Sequence, residues 1–461
     1  MNFLICIGAL VLLMFVAYRG FSVILFAPIA ALLAVLLTDP AAVPGMFTGI
    51  FMDKMVGFVK LYFPVFLLGA VFGKVIELSG FSKSIVAAVI GFIGRERAIL
   101  SIVLVCVILT YGGVSLFVVV FAVYPFAAEM FRQSNIPKRL IPGTIALGAF
   151  TISMDSLPGT PQIQNIIPTT FFGTNTWAAP ILGIVGSIFI MVVGLTYLEW
   201  RRRSAGKEGY GEDHINEPEP FKSESLPSPW IAILPLVIVG VMNKVLTSLI
   251  PTFYGQVYDI TLGHAAKPLT LPIPPITAIW AVQGALVLGI LSVLLFAFKP
   301  VSAKFADGTK AAVAGSLLAS MNTASEYGFG GVIASLPGFT VIADALRAIP
   351  NPLVNEAITV TTLAGITGSA SGGMSIALAA MSEQFISAAK ASGIPLEVLH
   401  RVASMASGGM DTLPHNGAVI TLLAVTGLTH KTSYGDIFAV TSIKTMAVFV
   451  VIAFYYVTGL Y

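Results

Sequence analysis

"SGGMDTLPHNGAV", Ser407 to Val419, decides how the rest of the chain is read. It sets Asp411, Pro414, His415 and Asn416 close together in a sequence that is 56% hydrophobic and only 10% charged. "SMDSLPGTPQIQN", Ser153 to Asn165, says nearly the same thing 256 positions earlier. Glycine, proline and polar residues inside apolar surroundings imply a broken helix. At membrane depth such a break survives only where protein or a water-filled cavity satisfies its backbone.

The surroundings are those of a membrane. A soluble domain carries more surface charge than this, and apolar runs of about 20 residues match the length of a spanning helix. The expectation is an all-α polytopic protein whose main partner is the lipid bilayer. A net charge of +3, without a basic stripe interleaved with aromatics, argues against a nucleic-acid partner. Cys6 and Cys106 fall in apolar segments and make neither a disulfide framework nor a metal site. The opening "MNFLICIGALVLLMFVAYRG" lacks a positive n-region and an A-x-A cleavage site, so it reads as a retained first helix. No P-loop, Rossmann glycine pattern or H-E-x-x-H occurs.

One long polar segment, residues 200–229, divides the chain. It is charged, rich in Gly, Ser and Pro and poor in aromatics, which is the composition of a solvated linker. The halves it separates, 1–199 and 230–461, repeat one another. "FGKVIELSGF" (Phe72 to Phe81) meets "FGGVIASLPGF" (Phe329 to Phe339), and "GGVS" (Gly112 to Ser115) meets "GGMS" (Gly372 to Ser375). "SNIP" (Ser134 to Pro137) meets "SGIP" (Ser392 to Pro395), and "MDSLPGT" (Met154 to Thr160) meets "MDTLPHN" (Met410 to Asn416). The four pairs are collinear at offsets of 258, 260, 258 and 256.

Placing Arg201 to Arg203 in the cytoplasm puts most of the 25 lysines and arginines inside, as the positive-inside rule asks. That threading needs 99–131, broken at "YGG" and basic at both ends, to be a re-entrant hairpin from the cytoplasmic side. It makes 353–390, broken at "GSASGG", a hairpin from outside. Each half then has about five crossings plus one hairpin, in opposite orientations. This is an inverted repeat, common among secondary transporters.

The breaks themselves suggest the site. Freed N–H groups at the start of a half-helix suit a carboxylate, and freed carbonyls suit a cation or a hydroxyl. Around the first break lie Ser153, Ser156, Thr160, Gln162, Gln164 and Asn165. Around the second lie Ser407, Thr412, His415 and Asn416, and the hairpin tips add Ser115, Ser369, Ser371 and Ser375. Of these, Ser115, Ser156, Thr160, Gln162, Ser371, Ser375, Thr412, His415 and Asn416 are the candidate substrate-binding residues. An ionised carboxylate in a membrane is costly and marks function by default, so Asp155, Asp411 and Glu326 are the candidate coupling-ion residues. The alternative for the two aspartates is to cap half-helices beginning at Leu157 and Leu413. His264, His400 and His430 read as solvated. Neither break contains an arginine to pair with a second carboxylate, which favours a monocarboxylate.

At these residues the chain resembles the gluconate permease family of the ion-transporter superfamily. The shared features are "LGAVFGKVIELSG" (Leu68 to Gly80), the paired "GG(V/M)S" and "MD(S/T)LP" elements, and "DTLPHNGAVITLLAVTGLTHKTSYGDIF" (Asp411 to Phe438). The last is similar to the D-β-hydroxybutyrate permease branch. The resemblance implies a bacterial inner-membrane symporter that is proton-coupled, homodimeric and works by an elevator motion. It favours a short hydroxy-monocarboxylate such as 3-hydroxybutyrate, with no cofactor beyond the coupling ion. The alternatives are gluconate or another sugar acid, a Na⁺-coupled carrier or exchanger, and, in a different class, an intramembrane enzyme using Asp411 and His415. An enzyme dyad needs no inverted copy, whereas alternating access does.

Overall fold

The computed structural model describes residues 2–19, 21–206, 208–211, 218, 226–260, 269–341, 349–414 and 416–461. The first half opens with α1 (Asn2–Tyr18), α2 (Val23–Thr38) and the long α3 (Pro40–Leu78). Asp39 caps the start of α3, accepting from the Ala41 amide at 3.1 Å. Next come α4 (Phe81–Ile93), α5 (Ala98–Tyr111) and α6 (Leu116–Gln133). Helix α7 (Ile141–Leu147) then widens into a π-turn over Gly148–Ser156, before α8 (Ile163–Phe172) and α9 (Pro180–Ser204).

The second half begins with α10 (Pro229–Tyr254) and a small antiparallel ribbon, β1 (Val257–Ile260) with β2 (Leu269–Pro272). This ribbon departs from the all-helical expectation. There follow α11 (Pro274–Ser302), α12 (Phe305–Ser335), α13 (Pro352–Thr367), α14 (Ala370–Ala391), α15 (Leu396–Ser407), α16 (Gly417–Thr426) and α17 (His430–Thr458).

Among the described residues, α3, α9, α10, α11 and α17 are long and apolar enough to cross a membrane. Their outer faces leave Val192, Val241, Leu291 and Leu295 exposed, which water would not favour and lipid does. Trp200 and Trp230, also exposed, flank the polar linker at the level where amphipathic rings meet headgroups. The helix before the linker runs to Ser204, past the expected boundary at 199, and carries all three arginines of 201–203 in its last turn. Cations there complement the helix dipole.

Helix breaks fall at both expected places. Gly112–Ser115 separates α5 from α6, and Gly368–Ser369 separates α13 from α14. Gly368 is left-handed at φ 64°, and Ser369 caps α14 by accepting from the Gly372 amide at 3.0 Å. Glu326 lies in a glycine-rich stretch, yet α12 is one unbroken helix through it, because the surrounding glycines serve close packing. Gly328 lies on Phe51 and Gly330 on Ile376.

Four helices around the two breaks fix the interior. In α9, Gly183 packs on Arg401 and Gly186 on Met405, so α9 and α15 run parallel. Gly186 also meets Val451, while Arg201 reaches Asp436 at 2.6 Å, so α9 and α17 run antiparallel. Gly143 packs on Asp436, and the Phe150 carbonyl accepts from Lys444, so α7 and α17 run parallel.

Candidate functional site

In the first break Leu157 turns extended before Pro158, as a residue preceding proline prefers. Gly159 follows at φ 77° with the Trp177 ring so close that a Cβ would lie 2.4 Å from it, so only glycine fits there. The Gly159 amide donates to the Thr176 carbonyl at 2.8 Å, and Asn243 of α10 donates to the Gly159 carbonyl at 2.9 Å. Asn165 donates to the carbonyls of Thr160 and Thr176, at 3.0 and 2.9 Å. The loop is therefore a shaped structure, its backbone satisfied by buried amides.

The half-helices start later than the sequence suggested. They begin at Ile163 and Gly417, so neither Asp155 nor Asp411 is their N-cap. The cap of α16 is Asn416, whose Oδ1 accepts from the Ala418 and Val419 amides at 2.6 and 3.0 Å. Those donors are thus occupied by the chain itself. Gln162, at the corresponding place before α8, makes no side-chain cap.

Through its side-chain nitrogen, each of these amides ties its break to a second interruption, Gln162 to the one after α5 and Asn416 to the one after α13. Gln162 Nε2 donates to the Thr110 carbonyl at 2.7 Å, and Asn416 Nδ2 donates to the Gly368 carbonyl at 2.6 Å. Thr160 donates to the Ser153 carbonyl at 2.6 Å, Ser153 and Thr110 share a hydroxyl contact, and Thr412 pairs with Thr441. Ser115 begins α6 beside the interruption after α5.

The two breaks meet at their aspartates. Asp155 is buried; its Oδ1 accepts from Ser156 at 2.8 Å, and its Oδ2 has no hydrogen-bond partner among the described residues. That Oδ2 lies against Gly408, where a Cβ would come within 1.8 Å. The Asp155 backbone carbonyl accepts from Ser404 at 2.7 Å. Asp411, also buried, pairs with Lys444 Nζ at 2.5 Å, and the same ammonium donates to the Phe150 carbonyl at 2.9 Å.

Other predicted residues stand apart from this crossing. Glu326 is buried with Oε2 unpartnered, and it fills the space left by the missing Cβ of Gly372. Ser371 pairs with Thr323 of α12 at 3.2 Å, and Ser375 is buried with its hydroxyl unpartnered. Glu326 and Ser371 share no hydrogen bond with Asp155 or Asp411 among the described residues. His415 and His264 lie outside the described residues.

Several site residues escaped the sequence reading. His400 is not solvated: it is fully buried, contacting Thr174 Oγ1 at 2.6 Å and Asn165 Oδ1 at 3.2 Å. It is buried because α15 is enclosed on every side from Val398 to Ser407. Arg401 is likewise buried, donating to the Ala178 carbonyl at 2.8 and 3.2 Å and to the Ser156 carbonyl at 3.1 Å. An arginine on the second half thus holds the first break. Its guanidinium is engaged by carbonyls rather than by a carboxylate. Lys444, a lone lysine within an apolar run, was the most legible of the three, since an intramembrane charge is rarely idle.

No family model matches the chain. It is 58% identical over 471 residues, covering 100% of both chains, to the uncharacterized transporter YxjC of Bacillus subtilis (strain 168). Among solved structures it is similar to MtrF of Neisseria gonorrhoeae, described within a class of antimetabolite efflux pumps. The TM-score is 0.55 at 12% identity, over 90% of this chain and 84% of that one. The YdaH transporter of Alcanivorax borkumensis aligns at a TM-score of 0.48 and 14% identity, over 90% and 88%. The likeness to MtrF is one of fold.

Proposed function

The chain belongs to the family of the Bacillus subtilis transporter YxjC and is a multi-pass membrane transporter; from this premise we propose that it is a proton-coupled symporter of a short hydroxy-monocarboxylate such as 3-hydroxybutyrate. It works in the bacterial inner membrane as a homodimer, by an elevator motion of the domain holding the two breaks. The observation that carries the reading is the crossing of two broken helices at Asp155 and Asp411, deep in the protein and bridged by one lysine.

An inverted repeat accounts for this geometry. The α7–α17 pair runs parallel, and so does the α15–α9 pair, which are the corresponding elements of the two halves. The antiparallel contact of α9 with α17 is what a two-fold axis in the membrane plane produces between symmetry mates. Each half also ties its break to its own hairpin tip through one amide, Gln162 or Asn416.

The asymmetry indicates where an anion sits. The start of α16 is closed by Asn416, whereas α8 has no side-chain cap, and Gln164 in its first turn keeps a buried, unpartnered Oε1. The Asn165 amide already donates to the Gln162 carbonyl at 3.0 Å, so a carboxylate accepts from the Ile163 and Gln164 amides, and a neighbouring hydroxyl donates to Gln164 Oε1. One carboxylate and one hydroxyl make a hydroxy-monocarboxylate. Coupling follows when an aspartate takes up a proton outside and releases it inside.

Purified protein in liposomes, supplied with labelled 3-hydroxybutyrate and an inward proton gradient, tests this directly. Uptake that collapses with a protonophore is expected. Gluconate entering faster than 3-hydroxybutyrate would overturn the substrate assignment.

A further inference from the structure

The breaks gather an oxygen cage that already holds a cation. Lys444 Nζ lies 2.5 Å from Asp411 Oδ1 and 2.9 Å from the Phe150 carbonyl of the π-turn. Asp155 Oδ2 faces the same spot. It lies 1.8 Å, and Lys444 Nζ 3.4 Å, from the point a Gly408 Cβ would occupy, so the two cannot be farther apart than the sum of those distances. Among the described residues Asp155 Oδ2 has no hydrogen-bond partner, and all of these side chains are buried.

Carbonyls freed by an interrupted helix hold Na⁺ in carriers with broken helices, and carboxylate oxygens suit the same kind of hard cation. Here an ammonium tethered to α17 stands among them. We propose that Lys444 is a built-in cation occupying the seat a sodium ion would otherwise take, which excludes Na⁺ from the site and leaves the proton as the coupling ion. The inference deepens the reading above and rests on it only for the word coupling; the cation seat stands on geometry alone.

The other charge facing the crossing is Arg401, whose guanidinium is held by the Ser156 and Ala178 carbonyls. It cannot reach the seat without leaving them. Among the described residues Lys444 therefore has no cationic understudy, and removing its ammonium leaves Asp411, Asp155 and the Phe150 carbonyl as an open oxygen site of net negative charge. Such a site recruits a hard monovalent cation, since an uncompensated buried charge is strongly unfavourable.

The test is the thermal stability of the detergent-solubilised full chain in NaCl against choline chloride at equal ionic strength, with no organic acid present. Wild type should melt at the same temperature in both salts. Lys444→Met should gain a saturable upward shift of several degrees in NaCl, as ligand linkage requires. The double variant Lys444→Met/Asp411→Asn should lose most of that shift. A saturable Na⁺ shift in wild type, or a folded Lys444→Met indifferent to Na⁺, overturns the inference. If Lys444→Met does not fold, wild-type uptake decides: indifference to a Na⁺ gradient upholds the tethered cation, and Na⁺-driven accumulation sinks it. Because the melting assay contains no organic acid, a failed transport assignment and a failed cation seat give different results.

Discussion

The carboxylate of Asp155 rests on the bare α-carbon of Gly408, at the point where the first broken helix crosses the second. A Cβ there would come within 1.8 Å of Oδ2, a distance no side chain tolerates. Oδ2 ends a short side chain that is buried in the crossing and has little room to swing aside. Gly408→Ala should therefore force the breaks apart. We expect loss of most uptake with the protein still inserted in the membrane, and the check is transport per molecule in proteoliposomes. Full activity in this variant would show that the crossing is not part of the transport site.

The Asp411–Lys444 pair predicts a double-mutant cycle. Asp411→Asn leaves Lys444 charged, buried and unpaired, which costs about 3 kcal/mol or more. Lys444→Met alone should also destabilise, whereas the two together should recover much of the loss. Denaturation of the solubilised protein measures the coupling. Additive effects would mean that the pair contributes nothing as a pair.

Asp155 offers a cleaner view of coupling, because its Oδ2 makes no direct hydrogen bond to Lys444 that the amide would break. Asp155→Asn should keep exchange of labelled 3-hydroxybutyrate across the membrane and lose accumulation driven by a pH gradient. Retention of wild-type accumulation in this variant would remove Asp155 from the coupling step.

Sidedness follows from the linker. A cysteine at Ser204 should react with an impermeant thiol reagent only from the cytoplasm, and one at Thr270, exposed on β2, only from outside. Cys6 and Cys106 are buried, so background labelling is small. Labelling of both from one side would contradict the threading.

A pH-dependent latch lies on the face carrying the linker. Arg139 donates to Glu208 at 2.8 Å through two nitrogens, and this hydrogen bonding holds the Glu208 carboxyl below its ordinary value. Beside it, Asn135 Oδ1 accepts from the Tyr210 amide at 3.1 Å. A depressed folded-state value stabilises the docked linker above the unfolded value of about 4.3, and that contribution fades as pH falls through the folded value. Hydrogen exchange at Tyr210, corrected for intrinsic rates, should show protection near neutrality that declines in acid. Glu208→Gln should flatten the profile. The effect is modest, because the pair is partly exposed and screened.

Much of this was written in the linear sequence. The apolar runs, the linker and the two interrupted segments follow from hydropathy and from proline and glycine, whose effects on backbone are local. The helix breaks at "YGG" and "GSASGG" were legible for the same reason, since a left-handed glycine such as Gly368 needs no partner to end a helix. Asp155 and Asp411 stood out because a carboxylate in an apolar run is costly wherever the chain goes. Their neighbours could not be read that way. Lys444 meets Asp411 across 33 positions, Arg401 meets Ser156 across 245, and His400 meets Asn165 across 235. Which face of α17 turns inward, and that α15 is enclosed on every side from Val398 to Ser407, depends on what packs there. The capping roles were lost for a related reason: the sequence marked the breaks, but the first hydrogen-bonded turns at Ile163 and Gly417 depend on where the chain re-enters a helix against its neighbours. Local stereochemistry determined where this chain breaks; only long-range packing decided which charges those breaks would share.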